Sequence, residues 1–379
     1  MAIRQNQNNE SLEKIIGKLS ACENLNLQEA QLGASEIFEK LKNNKPNTLA
    51  LLAAFFGGLT IKKPSIDELC GINKAMDTTK TFEFRFNINK PIVTAGGTGG
   101  DTTPTINVTT PATIIAAAAG ACVIKSGTKS FSSKTGCIDL AETWGINAHA
   151  DRKVVQDCIK KLGTAIWASE GIYPWMKPLI KISSEESAPE VMPMLYSLRL
   201  GIATALNPFS LKRQVRGVSK PFTETIANVL LKSGYEKALV VLGYGENEAN
   251  RIDEFSVLGK NVVSEVKPNG SVETFEFYPE DIGIKRGKIR EISYPGSYSK
   301  NAQLVTNVLL GKDKSTRRDL FLLNAASILY VADEAKDLKD GYELAAQAVD
   351  EGRAIEKLKQ LVKLSNGQPE RLDLILNSL

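Results

Sequence analysis

The sequence predicts an α/β protein in which a mainly parallel central sheet is flanked by helices and joined to a smaller, all-helical N-terminal domain. Three observations predict it. Residues 1 to about 80 carry apolar side chains at helical spacing and almost no β-branched runs. From Pro91 onward, short β-branched runs alternate with helical ones, as strands joined by crossover helices do. From Leu320 the chain is helical again.

The elements follow in chain order. Leu12, Ile15, Ile16 and Leu19 repeat at helical spacing, and so do Ala30, Ala34, Ile37, Phe38 and Leu41. Asn44–Asn47 interrupts, Thr48–Leu59 forms another apolar helix, and Ser65 is placed to cap a fourth ahead of Glu68. Pro91–Ala95, Ala121–Lys125, Ala238–Gly243, Val262–Val266 and Thr274–Tyr278 read as strands. Val154–Leu162, Glu224–Leu231 and Asn301–Leu310 read as helices, as do Leu320–Ala332 and Leu338–Val362. Gly163 to about Leu206 reads as helical, broken by Pro174, Pro178, Pro189 and Pro193. The expected domains are therefore residues 1–85, joined by helices from about 163–206, and an α/β domain over 86–379.

Composition narrows the class. Hydrophobic residues at 42% and charged residues at 24% match an ordinary globular protein. A net charge of +4, from 47 basic and 43 acidic residues, is too small to indicate nucleic acid by itself. The five cysteines are scattered without a CxxC pair, and the N-terminus has no apolar leader, so free thiols in the cytoplasm are expected. The run Pro111–Val123 is too short to span a bilayer. His149 is the sole histidine, which excludes a His-rich metal site; it reads as a structural residue.

Chemistry is concentrated after the first strand. Gly96-Gly97-Thr98-Gly99-Gly100-Asp101 ends that strand, and Thr105, Asn107, Thr109 and Thr110 lead into the next helix. Glycines let a backbone approach a phosphate closely, and amides at a helix start attract an anion. A tight strand-to-helix turn would use the same residues. About thirty residues later, Lys125-Ser126-Gly127-Thr128-Lys129 follows the second strand with two cations and several hydroxyls. That spacing suits one βαβ unit with both loops at the sheet edge where α/β proteins bind ligands.

GTGGDTTPTINVTT followed by KSGTKSFSSKTGCIDLAETWG resembles the anthranilate phosphoribosyltransferases and the related pyrimidine nucleoside phosphorylases, the first more closely. Arg251-Ile252-Asp253-Glu254-Phe255 resembles the acidic pair that holds magnesium in that family, and the stretch from Leu322 to Leu358 resembles its C-terminal helices. The resemblance is collinear over nearly the whole chain. It implies a nucleoside phosphorylase/phosphoribosyltransferase-like fold and a cytoplasmic transferase of tryptophan biosynthesis. Such an enzyme moves the ribose of phosphoribosyl pyrophosphate (PRPP) to an aromatic acceptor amine with Mg2+, as a homodimer through the N-terminal helices.

Carried over by position, Gly97, Gly99, Gly100, Asp101 and Thr105 would surround the phosphates and ribose. Asn107, Val108, Thr109, Thr110, Lys125, Gly127, Thr128, Lys129, Ser132 and Ser133 would complete the donor site. Thr109, Asp253 and Glu254 would hold magnesium through hard oxygen ligands. Lys125 would stabilise the departing pyrophosphate electrostatically, with no acid or base required.

The acceptor side departs from the family. Relatives carry Lys-His-Gly-Asn-Arg where this chain has Lys125–Lys129, so Thr128 stands for an asparagine and Lys129 for an arginine fork. His-Pro-Ala-Met becomes Tyr173-Pro174-Trp175-Met176, and the arginine that clamps the anthranilate carboxylate falls on Glu190 in a longer segment. Thr128, Tyr173, Trp175 and Arg199 are the acceptor candidates, with Lys177 an alternative to Arg199. Two other readings stay open. One is a non-catalytic nucleic-acid-binding relative using Lys125, Lys129, Lys134, Lys212, Arg213, Arg216 and Lys220; the other is a nucleoside phosphorylase.

Overall fold

The computed structural model describes residues 11–81, 84, 86, 88–129, 136–181, 193–205, 207 and 209–379. The chain divides into two compact units, Met1–Phe82 with Ile172–Leu206, and Glu83–Gly171 with Asn207–Leu379.

The first unit is helical. Four helices, Leu12–Ser20 (α1), Leu27–Lys42 (α2), Thr48–Lys62 (α3) and Ile66–Asp77 (α4), are joined later in the chain by Met176–Lys181 (α8) and Tyr196–Ala205 (α9). Asn26 and Ser65 cap α2 and α4 in capping boxes closed by Glu29 and Glu68, which satisfies amides that a helix start leaves unpaired. Glu68 is wholly buried and fully engaged. It accepts from the backbone N–H of Leu25 (2.8 Å) and Ser65 (2.7 Å) and from Lys62 Nζ (2.8 Å). Trp175 stacks on Phe38 at 4.4 Å between ring centroids, and its indole N–H donates to Thr79 Oγ1 at 2.8 Å. Ser197 Oγ donates to the Phe56 carbonyl at 2.6 Å, tying the start of α9 to α3.

The second unit is an eight-stranded sheet flanked by helices. Its strands are Ile92–Gly97 (β1), Cys122–Gly127 (β2), Thr164–Ala168 (β3), Arg213–Gly217 (β4), Lys237–Tyr244 (β5), Arg251–Ile252 (β6), Asn261–Val266 (β7) and Val272–Phe277 (β8). The order is β3-β2-β1-β4-β5-β7-β8 with β6 beside β5; the first five are parallel, and β6, β7 and β8 run antiparallel to their neighbours. Helix Thr109–Ala118 (α5) crosses from β1 to β2, and helix Thr316–Val331 (α13) packs against it. Eleven residues of α13 are buried, from Leu320 to Val331, so this helix is core on every side.

β1 pairs with β2 on one side and β4 on the other, and the chain moves outward from β1 to β2 and β3 before crossing back to β4. That is the topological switch point, where the C-terminal ends of strands open a crevice for ligands.

Three elements differ from the sequence expectation. Thr164–Ala168 is strand rather than helix; all five residues are buried beside β2, so no polar alternation marks them. Arg213–Gly217 is a central strand with a single aliphatic side chain, Val215, and its polar residues conceal it. The helical stretch 338–362 breaks at Gly352, whose φ of 73° separates Leu338–Asp350 (α14) from Arg353–Leu364 (α15). His149 is half-exposed with Nε2 3.5 Å from Glu142 Oε1. All five cysteines are free, and no helix among the described residues is long and apolar enough to cross a membrane.

Candidate active site at the switch point

The site is built where β1 and β4 end. β5 continues past the sheet edge into a loop closed by the Gly245 N–H on the Asn250 carbonyl (2.7 Å), and β6 then folds back antiparallel on Gly243 and Tyr244. This return brings Asp253 and Glu254 over the turn that follows β1. Thr102 and Arg251 fasten loop to turn: Thr102 N–H donates to the Arg251 carbonyl (3.2 Å), and Arg251 N–H donates to the Thr102 side-chain Oγ1 (2.7 Å).

Glycine is required by closeness. A Cβ on Gly97 would lie 2.0 Å from Asp253 Oδ2, and one on Gly217, at the end of β4, 1.4 Å from the Asp253 carbonyl oxygen. Gly99 and Gly100 turn the chain through φ values of 70° and 87°, and the Gly99 N–H donates to Asp253 Oδ2. Asp101 Oδ1 accepts from the Asp253 N–H at 2.8 Å.

Three carboxylates thereby meet. Oxygens of Asp101, Asp253 and Glu254 lie within 4.8 Å of one another. Thr109, the first residue of α5, donates its hydroxyl to Glu254 Oε1 at 3.1 Å, whereas Glu254 Oε2 is buried with no hydrogen-bond partner among the described residues. Burial pushes the Asp101 carboxyl well above its ordinary range, and the charges of Asp253 and Glu254 add to that. Burial and Asp253 do the same to Glu254, against a smaller downward pull from Lys125 and Thr109. A cavity of about 10 Å³ lies among Thr109, Asp253, Glu254 and Asn324, room for one water-sized species. Clustered acids and an orphaned carboxylate oxygen fit a hard divalent cation such as magnesium, which takes oxygen ligands.

Two cations stand nearby. Lys125, at the end of β2, is buried with Nζ 3.4 Å from the Ala95 carbonyl; burial lowers its pKa, and Asp253 and Glu254 pull the other way. Arg216 on β4 is buried as well. Val108 precedes helix α5 without capping it through a side chain, and since Pro111 has no N–H the amides of Thr109 and Thr110 are those the helix start can offer an anion.

Residues 89–355 match the glycosyl transferase family, a/b domain. The chain is 34% identical over 356 residues to the anthranilate phosphoribosyltransferase of Acetivibrio thermocellus, covering 94% of this chain and 97% of that protein. The chain belongs to the anthranilate phosphoribosyltransferase family. It is accordingly a glycosyltransferase-type enzyme. The enzyme of Anaeromyxobacter dehalogenans strain 2CP-1 is also 34% identical, over 353 residues, 93% of this chain and 98% of that one. Among solved structures, that of the Thermus thermophilus anthranilate phosphoribosyltransferase superposes with a TM-score of 0.77 at 26% identity, covering 93% of this chain and 99% of that one. The Saccharomyces cerevisiae enzyme, solved in complex with PRPP and Mg, shares the fold at a TM-score of 0.77 and 21% identity, over 95% of this chain and 99% of that one.

With the family in hand, the candidate residues sort by location. Gly97, Gly99, Gly100, Asp101, Asp253, Glu254 and Thr109 form one group. Val108 and Thr110 are buried beside Thr109, and Asn107 is held through its Oδ1 by Asn301 Nδ2 at 2.7 Å. Thr105 bridges to Ser293. Gly127 and Thr128 face Cys137, whose Sγ lies 3.8 Å from the Thr128 carbonyl, and a Cβ on Gly127 would lie 2.3 Å from that sulfur. Lys129 is half-exposed and pairs with Glu142 at 2.9 Å. Ser132, Ser133, Lys134 and Glu190 lie outside the described residues.

The acceptor candidates of the helical unit are placed differently. Tyr173 and Trp175 are almost wholly buried, and Trp175 is stacked on Phe38, so both rings serve as core in this structure rather than as open stacking surfaces. Arg199 is buried in α9. Two features escaped the sequence. Asp101 stands with the acids as well as closing the glycine turn, a role 152 residues from its partner that no local pattern signals. Arg216 is a buried residue of a central strand rather than part of a basic surface.

Proposed function

We propose that this protein transfers ribose 5-phosphate from phosphoribosyl pyrophosphate to the nitrogen of an aromatic amine, releasing pyrophosphate in a magnesium-dependent reaction. The single observation that carries the reading is the convergence of Asp101, Asp253 and Glu254 on the glycine turn after β1. The bond from ribose C1 to the pyrophosphate oxygen breaks, a C1–N bond forms, and the amine gives up one proton. Asp101, Asp253 and Glu254, with Thr109 beside them, would hold magnesium, which when bound neutralises charge on the pyrophosphate.

The chain's own groups then have defined tasks. Backbone amides of the glycine turn and of the uncapped α5 start bind donor phosphate. Lys125 offers a buried positive charge to the departing anion, where low dielectric makes it count more than in water. Holding the acceptor nitrogen in line supplies much of the remaining acceleration, so the lack of a histidine base is no obstacle. Thr128 and Lys129, where the family carries asparagine and arginine, favour an acceptor site that is altered, with anthranilate the first compound to test. Pairing of two copies through the N-terminal helices is part of the proposal, and the exposed Leu32 on α2 and Ile61 on α3 support it.

The test is pyrophosphate release from phosphoribosyl pyrophosphate, with and without magnesium, against anthranilate and a panel of related aromatic amines. Release that requires both magnesium and an acceptor is expected. Donor binding without release to any acceptor would overturn the proposal.

A further inference from the structure

Asn324 is a polar residue in the middle of α13, a helix buried on every side, and a buried amide is costly unless it is bonded. Its bonds reach beyond the helix. Oδ1 accepts from the Phe255 N–H at 3.1 Å, and Nδ2 donates to the Phe255 carbonyl at 2.8 Å. Nδ2 also donates to the Leu320 carbonyl, one turn back, at 2.8 Å. The side chain therefore pairs with both backbone groups of Phe255, as a neighbouring strand would. Phe255 follows Glu254 directly and lies between β6 and β7, outside any helix or strand, so no ladder satisfies its backbone.

Ser256 is held in the same way from β7. Its N–H donates to Asn261 Oδ1 at 2.7 Å, and its carbonyl accepts from Asn261 Nδ2 at 2.9 Å. The two clamps face different surroundings. Asn261 also donates to the carbonyls of Gly259 (3.3 Å) and Phe277 (3.4 Å), whereas Asn324 lines the small cavity beside Thr109, Asp253 and Glu254. Glycines press on the acids from the sheet: a Cβ on Gly243 would lie 2.3 Å from the Glu254 carbonyl oxygen, as Gly97 and Gly217 crowd Asp253. Three carboxyls within 4.8 Å repel one another when ionised, so a fixed backbone must keep them together before a cation arrives. Asp253 is fixed by its N–H on Asp101 at 2.8 Å, and Glu254 by the clamp on the residue after it.

We infer that Asn324 is a positioning residue for the magnesium acids: its amide fixes Phe255 and so sets where Asp253 and Glu254 present their oxygens. The inference rests on the proposed magnesium-dependent transfer and adds a residue that acts through Phe255 rather than as a ligand. Without the clamp the carboxylates move apart, and a cation must first draw them together, which weakens binding while every ligand is still present.

Asn324→Ala tests it, with Asn261→Ala as the comparison, since each frees two backbone groups of the same segment and leaves room for water to bond them. Thermal melts of both variants and the wild type are followed across magnesium concentrations with pyrophosphate present, so no turnover is required. The expected result is a rise of roughly 10- to 100-fold in the magnesium needed for half-maximal stabilisation of Asn324→Ala, against less than about threefold for Asn261→Ala. A lowered metal-free Tm with an unchanged magnesium midpoint would overturn the inference, and so would equal shifts in the two variants. Asn324→Ser carries the same measurement where the alanine variant does not fold; loss of the fold in both makes Asn324 a purely structural residue and refutes the inference. Should the wild type show no stabilisation by magnesium, the metal reading fails separately, and amide hydrogen exchange of the metal-free proteins decides Asn324. Lost protection that spreads from Phe255 to the amides of Asp253 and Gly99, which bond to Asp101 and Asp253, supports it; loss confined to Phe255 refutes it.

Discussion

Glu68 in the helical unit is removed from water and Glu254 in the α/β unit is half-buried, and their surroundings are opposite in kind. Glu68 accepts from two backbone amides and from Lys62, so its charge is matched inside the protein. Glu254 has one hydroxyl on one oxygen and none on the other, and its nearest charges are two further carboxyls. A buried acid that is fully satisfied holds a fold together. One left partly bare among like charges is a strained arrangement that a cation relieves. The same contrast divides the aromatic and cationic residues: Trp175 is stacked and hydrogen-bonded, whereas Arg216 keeps an N–H without a partner among the described residues.

Substitutions at the two glutamates sharpen this contrast most. Glu68→Ala strands Lys62 without its counter-charge and frees two buried amides, so chemical denaturation should show a loss of about 3–5 kcal/mol. Donor affinity of the folded protein should stay the same. Glu254→Gln should do the reverse, cutting magnesium-dependent pyrophosphate release on the order of 10²- to 10³-fold. Its metal-free Tm should hold or rise, since a like charge is removed. A Glu254 variant that unfolds while remaining active when stabilised would break the comparison.

A smaller effect is the pH dependence of magnesium stabilisation. Asp101 and Glu254 have folded pKa values raised above those of the unfolded chain. Their contribution to metal-free stability is therefore present at low pH and is lost as pH rises through the raised values. Magnesium requires the deprotonated acids, so the Tm increment it confers should grow from about pH 5 to about pH 8. Thermal melts with and without magnesium across that range check the sign; an increment that shrinks with pH would contradict it. The smallest effect belongs to Lys129→Ala. This half-exposed partner of Glu142 should alter stability by less than about 1 kcal/mol, measured by denaturant titration.

What the residues disclosed in advance follows from how local each signal is. The glycine turn was legible because a β-branched run ends in Gly96–Gly100 within a few positions, and the α13 core because Leu320–Val331 is apolar apart from Asn324, Ser327 and Tyr330. β4 was not, since Arg213, Gln214 and Arg216 resemble a solvated basic segment until β1 and β5 close over them. Asp253 and Glu254 looked like any surface acidic pair, and only the family resemblance joined them to the turn. Their placement depends on β6 folding back on β5, a tertiary event with two residues of strand to announce it. Asp101 joined the acids for the same reason. Trp175 read as a possible platform because a flat ring suits a ligand and a core equally well; Phe38, from a distant helix, is what fills its face.

The central claim is that the turn after β1 and the acids after β6 form one donor site, and Gly97 is where they touch. The most direct test is calorimetric titration of phosphoribosyl pyrophosphate with magnesium into the wild type and Gly97→Ala. A methyl group there must push Asp253 away, so donor affinity should fall by roughly 10- to 100-fold with the fold retained. Equal affinity in the two proteins, or donor binding by the wild type that ignores magnesium, would contradict the account.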